Sequence, residues 1–83
     1  MGKQGQIRWA IWGLPPGFSQ GALQRRWGVS NSVIHRLVER GKLKRRIIEN
    51  KGKKYYHFSA RSVKHFEKES EIPIVRPEVT EWW

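Results

Sequence analysis

LQRRWGVSNSVIHRLVERGKL, residues 23–43, divides at Gly28 and Gly41 into two short helices joined by a tight turn. Leu23 and Trp27 stand four apart and share one face of a first helix. Ser19 can open that helix by offering its hydroxyl to the free N–H groups of the first turn. Gly28 closes it, because glycine enters the left-handed conformation without a Cβ penalty. Val29 then serves as an apolar plug between the helices, and Ser30 or Ser32 is placed to cap the second. In that second helix Val33, Ile34, Leu37 and Val38 form an apolar stripe. Its other face carries Asn31, Ser32, His35, Arg36, Glu39 and Arg40, groups able to reach base edges or phosphates. The spacing predicts helices over about 20–27 and 31–40.

Two short amphipathic helices around a glycine also occur in plain helical hairpins, so the residues that follow carry the decision. Leu43 to Ile48 and Lys54 to Phe58 are rich in β-branched and aromatic residues, and turn formers fill Asn50 to Gly52 between them. They predict a two-stranded wing whose tip bears Lys51, Lys53 and Lys54. A third helix is expected from about Ala60 to Glu69, with Val63 and Phe66 facing inward.

Taken together, Gly28-Val29-Ser30, Gly41 eleven residues after Ser30, the hairpin, and Phe58-Ser59 opening the last helix resemble the winged helix-turn-helix of phage excisionases and MerR-type regulators. The small wing-bearing domain of AbiEi-type antitoxins is similar. The resemblance covers roughly residues 18 to 69, and Gln24 departs from it, standing where these families carry a small alanine at the helix crossing. It implies an α+β fold, a small winged helix-turn-helix domain of three short helices and a two- or three-stranded β-wing, with double-stranded DNA as the ligand.

Charge points the same way. Seventeen Lys and Arg against seven acids give a formal net charge of +10 over 83 residues, which favours a polyanionic partner. Residues 36–54 hold nine bases and two acids, whereas residues 67–83 hold five acids and two bases, so a basic reader is followed by an acidic tail. The expected recognition-helix contacts are Ser30, Asn31, Ser32, His35, Arg36 and Arg40, with Asn31, Ser32, His35 and Arg36 facing bases and Arg40 nearer phosphate. The expected wing and backbone contacts are Lys42, Lys44, Arg45, Arg46, Lys51, Lys53 and Lys54. With a core this small, one module reads only a few base pairs, so specificity calls for a homo-oligomer, an array or a protein partner.

The flanking segments are less determined. Residues 1–17 hold an alternation, Ile7, Trp9 and Ile11 against Arg8, Ala10 and Trp12, that suggests a short strand able to join the wing, with a helical turn as the alternative. Pro15 and Pro16 cannot continue either element. Residues 70–83 read as an extended acidic tail, stiffened by Pro73 and Pro77 and ending in Trp82-Trp83. These two indoles either fold back onto their own domain or form a hook for a partner protein. Trp27 is expected in the core, and one of Trp9 and Trp12 is expected to cover it.

No catalytic motif is visible. His35, His57 and His65 are the only imidazoles, aspartate is absent, and no pair has metal-ligand spacing. His57 is expected to point outward from its strand and His65 to lie on a helix surface. Gly13 to Gly17 is interrupted by prolines and lacks the lysine of a phosphate loop. A non-enzyme without cofactor or metal is the expectation. The absence of cysteine excludes disulfides and thiolate zinc sites, and no apolar run has bilayer length. Residues 1–6 are too polar and glycine-rich for a signal peptide; a cytoplasmic, nucleoid-associated protein with no membrane contact is expected. Two further readings stay open: an RNA-binding ribonucleoprotein component stacking bases on Tyr55, Tyr56 or Phe58, and an adaptor working through the tail.

Overall fold

The computed structural model describes residues 8–83. It is a small α+β structure of three α-helices and a three-stranded antiparallel sheet. In chain order a 3₁₀ turn at Trp9–Trp12 is followed by β1 (Gly17–Phe18), α1 (Gln20–Trp27), α2 (Asn31–Glu39), β2 (Arg45–Asn50), β3 (Lys53–Ser59) and α3 (Ala60–Ser70). The sheet order is β1-β3-β2.

Local chemistry sets these boundaries. The Ser19 hydroxyl accepts from the Ala22 N–H at 3.1 Å and Gly28, at φ 65°, caps the other end of α1. Ser30 occupies the N-cap position of α2 without a side-chain cap bond; its Oγ lies 3.0 Å from Ser32 Oγ instead. Ser59 caps α3 through the Ser62 N–H at 3.2 Å. Asn50 pairs with Lys53, leaving a two-residue loop in which Lys51 (φ 52°) and Gly52 (φ 78°) are both left-handed. That is the turn whose twist suits a tight hairpin.

The third strand does not come from residues 7–12. Trp9–Trp12 coils into the 3₁₀ turn, ended by Gly13 at φ 71°, and Ile7 lies outside the described residues. The alternation fails because Trp9 is buried while Ile11 is 70% exposed, so the two do not share a face. Gly17–Phe18, directly after the prolines, pairs with Ser59 and Phe58 instead. Only glycine fits at 17: a Cβ there would collide with the His57 ring and the Phe58 carbonyl.

Phe18, Leu23, Trp27, Ile34, Leu43, Phe58, Val63 and Phe66 form the core between the helices and one face of the sheet, with Val29, Leu37 and Val38 packed against it. Trp27 is inside as expected, and truncating a buried indole of this kind costs about 3–5 kcal/mol. The other sheet face is covered too, and this corrects the outward placement of His57. Strand alternation does turn His57 away from Phe58, but Trp9 meets its ring edge-on at 4.7 Å, and it is buried. Its Nε2–H donates to the Pro15 carbonyl at 2.9 Å. Burial pushes the His57 pKa down, the Pro15 bond opposes this, and Arg46 adds to the depression. Trp12 packs on Tyr55 at 5.6 Å. His65 is exposed on α3.

Of the two fates open to the tail, the fold-back is observed. The Val75 and Arg76 N–H groups donate to the Arg26 carbonyl at 2.8 and 3.1 Å, and Trp82 exchanges two main-chain bonds with Gly17 (2.8 and 3.0 Å). Ala10 N–H reaches the Trp83 carbonyl at 2.7 Å. The Arg26 side chain, 8% exposed, pairs with Glu67 through Nε (2.6 Å) and Nη2 (3.0 Å), while its Nη1 donates to the Val79 carbonyl at 2.7 Å. One residue of α1 thus ties α3 and the tail together. Residues on both sides of the 18–69 segment are bonded into the same body. Among the described residues no helix is long and apolar enough to cross a membrane.

Candidate nucleic-acid interface

The exposed face of α2 and the β2–β3 hairpin present the cationic residues singled out in the sequence. In α2, Ile34 is fully buried and Leu37 and Val38 are partly so, which turns Asn31, Ser32, His35, Arg36 and Glu39 outward. Ser30 and Arg40 flank the helix, both exposed. Lys42 and Lys44 are exposed in the connection to β2, where the Lys44 N–H contacts Ser62 Oγ at 3.4 Å. Arg46, Lys51, Lys53 and Lys54 are exposed along the hairpin and its tip.

None of the nine bases between residues 36 and 54 forms an ion pair with a carboxylate among the described residues. Elsewhere among those residues Arg26, Lys64 and Arg76 do, while Arg8, Arg25, Arg61 and Lys68 do not. The two acids of the segment do little to neutralise it: Glu39 faces His35, and Glu49 lies opposite Lys54 in the strand register without pairing. The patch is therefore a surface of positive charge without carboxylate partners.

Four of the six expected recognition-helix residues are already engaged, the Ser30 and Ser32 hydroxyls with each other at 3.0 Å. Asn31 Oδ1 accepts from Gln20 Nε2 across the turn. His35 sits between Glu39, at 3.3 Å from Nε2, and Arg45, whose Nη1 lies 3.4 Å from Nδ1. The Nε2–H tautomer satisfies both, donating to Glu39 and accepting from Arg45. Arg45 is half-buried and lies with its guanidinium 4.9 Å over the Tyr56 ring. A chain from Tyr56 through Arg45 and His35 to Glu39 thus fixes the hairpin base against α2. Sequence reasoning missed Gln20 and Tyr56 in these roles. The His35–Glu39 spacing of four was legible, whereas the Gln20–Asn31 contact depends on how the helices cross and leaves no periodic signal.

The aromatic residues proposed as base-stacking platforms are occupied within the fold: Phe58 is fully buried, Tyr56 lies under Arg45, and Tyr55 is against Trp12. Trp82 and Trp83 remain 39% and 68% exposed although their main chains are bonded. They sit at the opposite end of β3 from the lysine tip, since Trp82 bridges Gly17, Gly17 pairs with Ser59, and the tip lies at Lys53. That is roughly 20 Å along the strand. No group of three or more His, Cys, Asp or Glu side chains placed to hold a metal occurs among the described residues. No protein-family model, curated protein or solved structure matches this chain.

Proposed function

We propose that the chain is a duplex-DNA-binding module of winged helix-turn-helix type, serving as a transcriptional regulator or an architectural factor in recombination. Helix α2 is the element that enters the major groove, with Asn31, Ser32, His35 and Arg36 toward base edges and Arg40 toward phosphate. The β2–β3 hairpin is the wing, carrying Arg46, Lys51, Lys53 and Lys54 to the adjacent backbone or minor groove. Arg45, held by Tyr56 and His35, sets the angle between reader and wing.

The observation that supports this best is the run of nine cations, free of carboxylate partners, from the last turn of α2 through its connection to β2 and along the hairpin. Each phosphate such a cation neutralises releases condensed counterions and favours association. An ordinary solvated face mixes signs and pairs them, as the surface carrying Lys64, Glu81, Arg76 and Glu78 does here. Selection of bound sequences from a random duplex pool, with structured RNA as competitor, tests the proposal. Enrichment of a short motif that RNA fails to displace supports it; equal binding to RNA and to all duplexes overturns it.

A further inference from the structure

Where the tail returns across α1 it does not close down on the helix. A cavity of about 290 Å³ opens between them, near the lower end of the size range of small-molecule sites. Trp9, Phe18 and Ala22 lie beneath it, Trp9 and Phe18 almost wholly buried, and Ser19 and Thr80 share the lining. Trp82 forms a side wall, with part of its indole face uncovered. Two charged residues stand on the lining, Arg25 from α1 and Glu78 from the tail. Their situations differ. Glu78 is within 3.9 Å of Arg76, whereas Arg25 is exposed and has no ion-pair partner among the described residues. The cavity therefore offers one partly exposed indole, that of Trp82, and one planar cation without an ion-pair partner.

We propose that this cleft binds a small aromatic carboxylate. The ring would lie against Trp82 and Ala22, and the carboxylate would take the paired N–H donors of Arg25, a geometry that a guanidinium matches in bidentate fashion. Glu78 shapes the selection: it accepts from a ring N–H or O–H and repels a second negative group on the ligand. Such a ligand touches both α1 and residues 78–82, so it fastens the tail in its docked position and stabilises the fold by mass action. The site is independent of the cationic surface, on different elements, and stands whether or not that surface binds DNA.

Indole-3-acetate is the probe, with indole-3-acetamide as its uncharged counterpart and acetate as the charge without the ring. Calorimetry and saturation-transfer NMR on the full chain should show saturable one-to-one binding of indole-3-acetate. The amide should bind at least tenfold more weakly, and acetate should give no saturable signal. At ten times its Kd, indole-3-acetate should raise the thermal midpoint by roughly 5 °C or more. Arg25→Gln, a surface change, should abolish the preference for acid over amide while leaving the unliganded midpoint unchanged. Ala22→Leu, which fills the cavity, should abolish binding of both indoles. The proposal is overturned if indole-3-acetate shows no saturable binding up to about 5 mM, if acid and amide bind equally, or if neither substitution changes binding. Acetate binding as well as indole-3-acetate would also overturn it, by showing attraction to net charge alone.

Discussion

Replacing Glu67 by alanine is the most direct probe of how this chain holds its parts together. The carboxylate accepts from Arg26 Nε at 2.6 Å, Arg26 Nη2 at 3.0 Å and Trp27 Nε1 at 2.6 Å. Both side chains of the ion pair are about nine-tenths buried. Without Glu67 the guanidinium keeps the Val79 carbonyl and the face of Phe18, 5.3 Å away, but no counter-charge. Breaking a buried pair from one side costs about 3–5 kcal/mol, because the remaining charge stays desolvated. At roughly 0.05–0.15 kcal/mol per residue, a chain of 83 residues has about 4–12 kcal/mol in total. The substitution should therefore remove about a quarter or more of the stability and lower the midpoint by at least about 12 °C. Urea unfolding followed by circular dichroism gives the first number, and a thermal scan the second. Amide exchange at Val75, Arg76 and Trp82 should accelerate in the same variant, since Arg26 holds the tail through both its carbonyl and its side chain. Replacing Arg26 and Glu67 together by methionine should cost less than Glu67→Ala alone. A single-variant loss under about 1 kcal/mol, with unchanged exchange in the tail, would refute the reasoning.

Stability should also fall with acid in two stages. The His57 pKa lies below its ordinary 6.5, chiefly through burial, so the unfolded chain takes up that proton first; stability is complete above about 6.5 and declines as pH drops through the lower folded value. Burial pushes the Glu67 carboxyl up, but the bonds from Arg26 and Trp27 and the charge of Arg26 outweigh it, leaving its pKa below 4.5 and adding a second loss beneath that pH. A thermal midpoint that stays flat between about pH 7 and pH 5 would contradict the burial of His57. For the proposed interface, Lys51, Lys53 and Lys54 changed together to alanine should reduce the log–log salt slope of duplex binding by roughly 0.9 for each phosphate that is no longer neutralised; an unchanged slope in a filter-binding titration removes the hairpin tip from the interface. Arg36→Ala should cost about 1–3 kcal/mol of preference for a selected site over random duplex, and equal losses on both would show that Arg36 positions the protein and reads no base. Lys51→Asn should stabilise the hairpin by up to about 1 kcal/mol in urea unfolding, because Lys51 sits at φ 52° where asparagine is better tolerated, and an unchanged midpoint argues against the left-handed turn.

Much of the architecture was legible because it rests on short-range rules. Ser19 and Gly28 bound α1 through hydrogen bonds within a few residues of each other, and the apolar spacing of Ile34, Leu37 and Val38 needs nothing beyond helical geometry. The hairpin followed from two runs of β-branched and aromatic residues with turn formers at Asn50 to Gly52 between them. What escaped was set at long range. Trp9 turns inward because His57, far along the chain, presents a ring edge to it, and Gly17 becomes a strand because Ser59 and Trp82 flank it on both sides. Neither partner leaves a periodic trace near residues 9–17.

The same division explains the two ends of the sheet. At the hairpin tip, the cations were readable as a charge run, and they stay free because the neighbouring acids are few and one of them is turned toward His35. At the base, the acidic tail read as extended, with fold-back and a partner hook both open, because its Glu and Pro content names no docking site. Its docking depends on main-chain groups, namely the Arg26 carbonyl and the exposed edge of β1, and on one arginine whose charge composition alone assigns to the basic surface. Arg26 is a cation that the fold consumes, whereas eight of the nine between residues 36 and 54, all but Arg45, are cations that the fold leaves available. The net charge of +10 thus separates into a structural share and a share with no intramolecular partner. The salt dependence of duplex binding should follow the second share alone: Arg26→Met should weaken the fold without changing the salt slope, and the lysine changes should do the reverse.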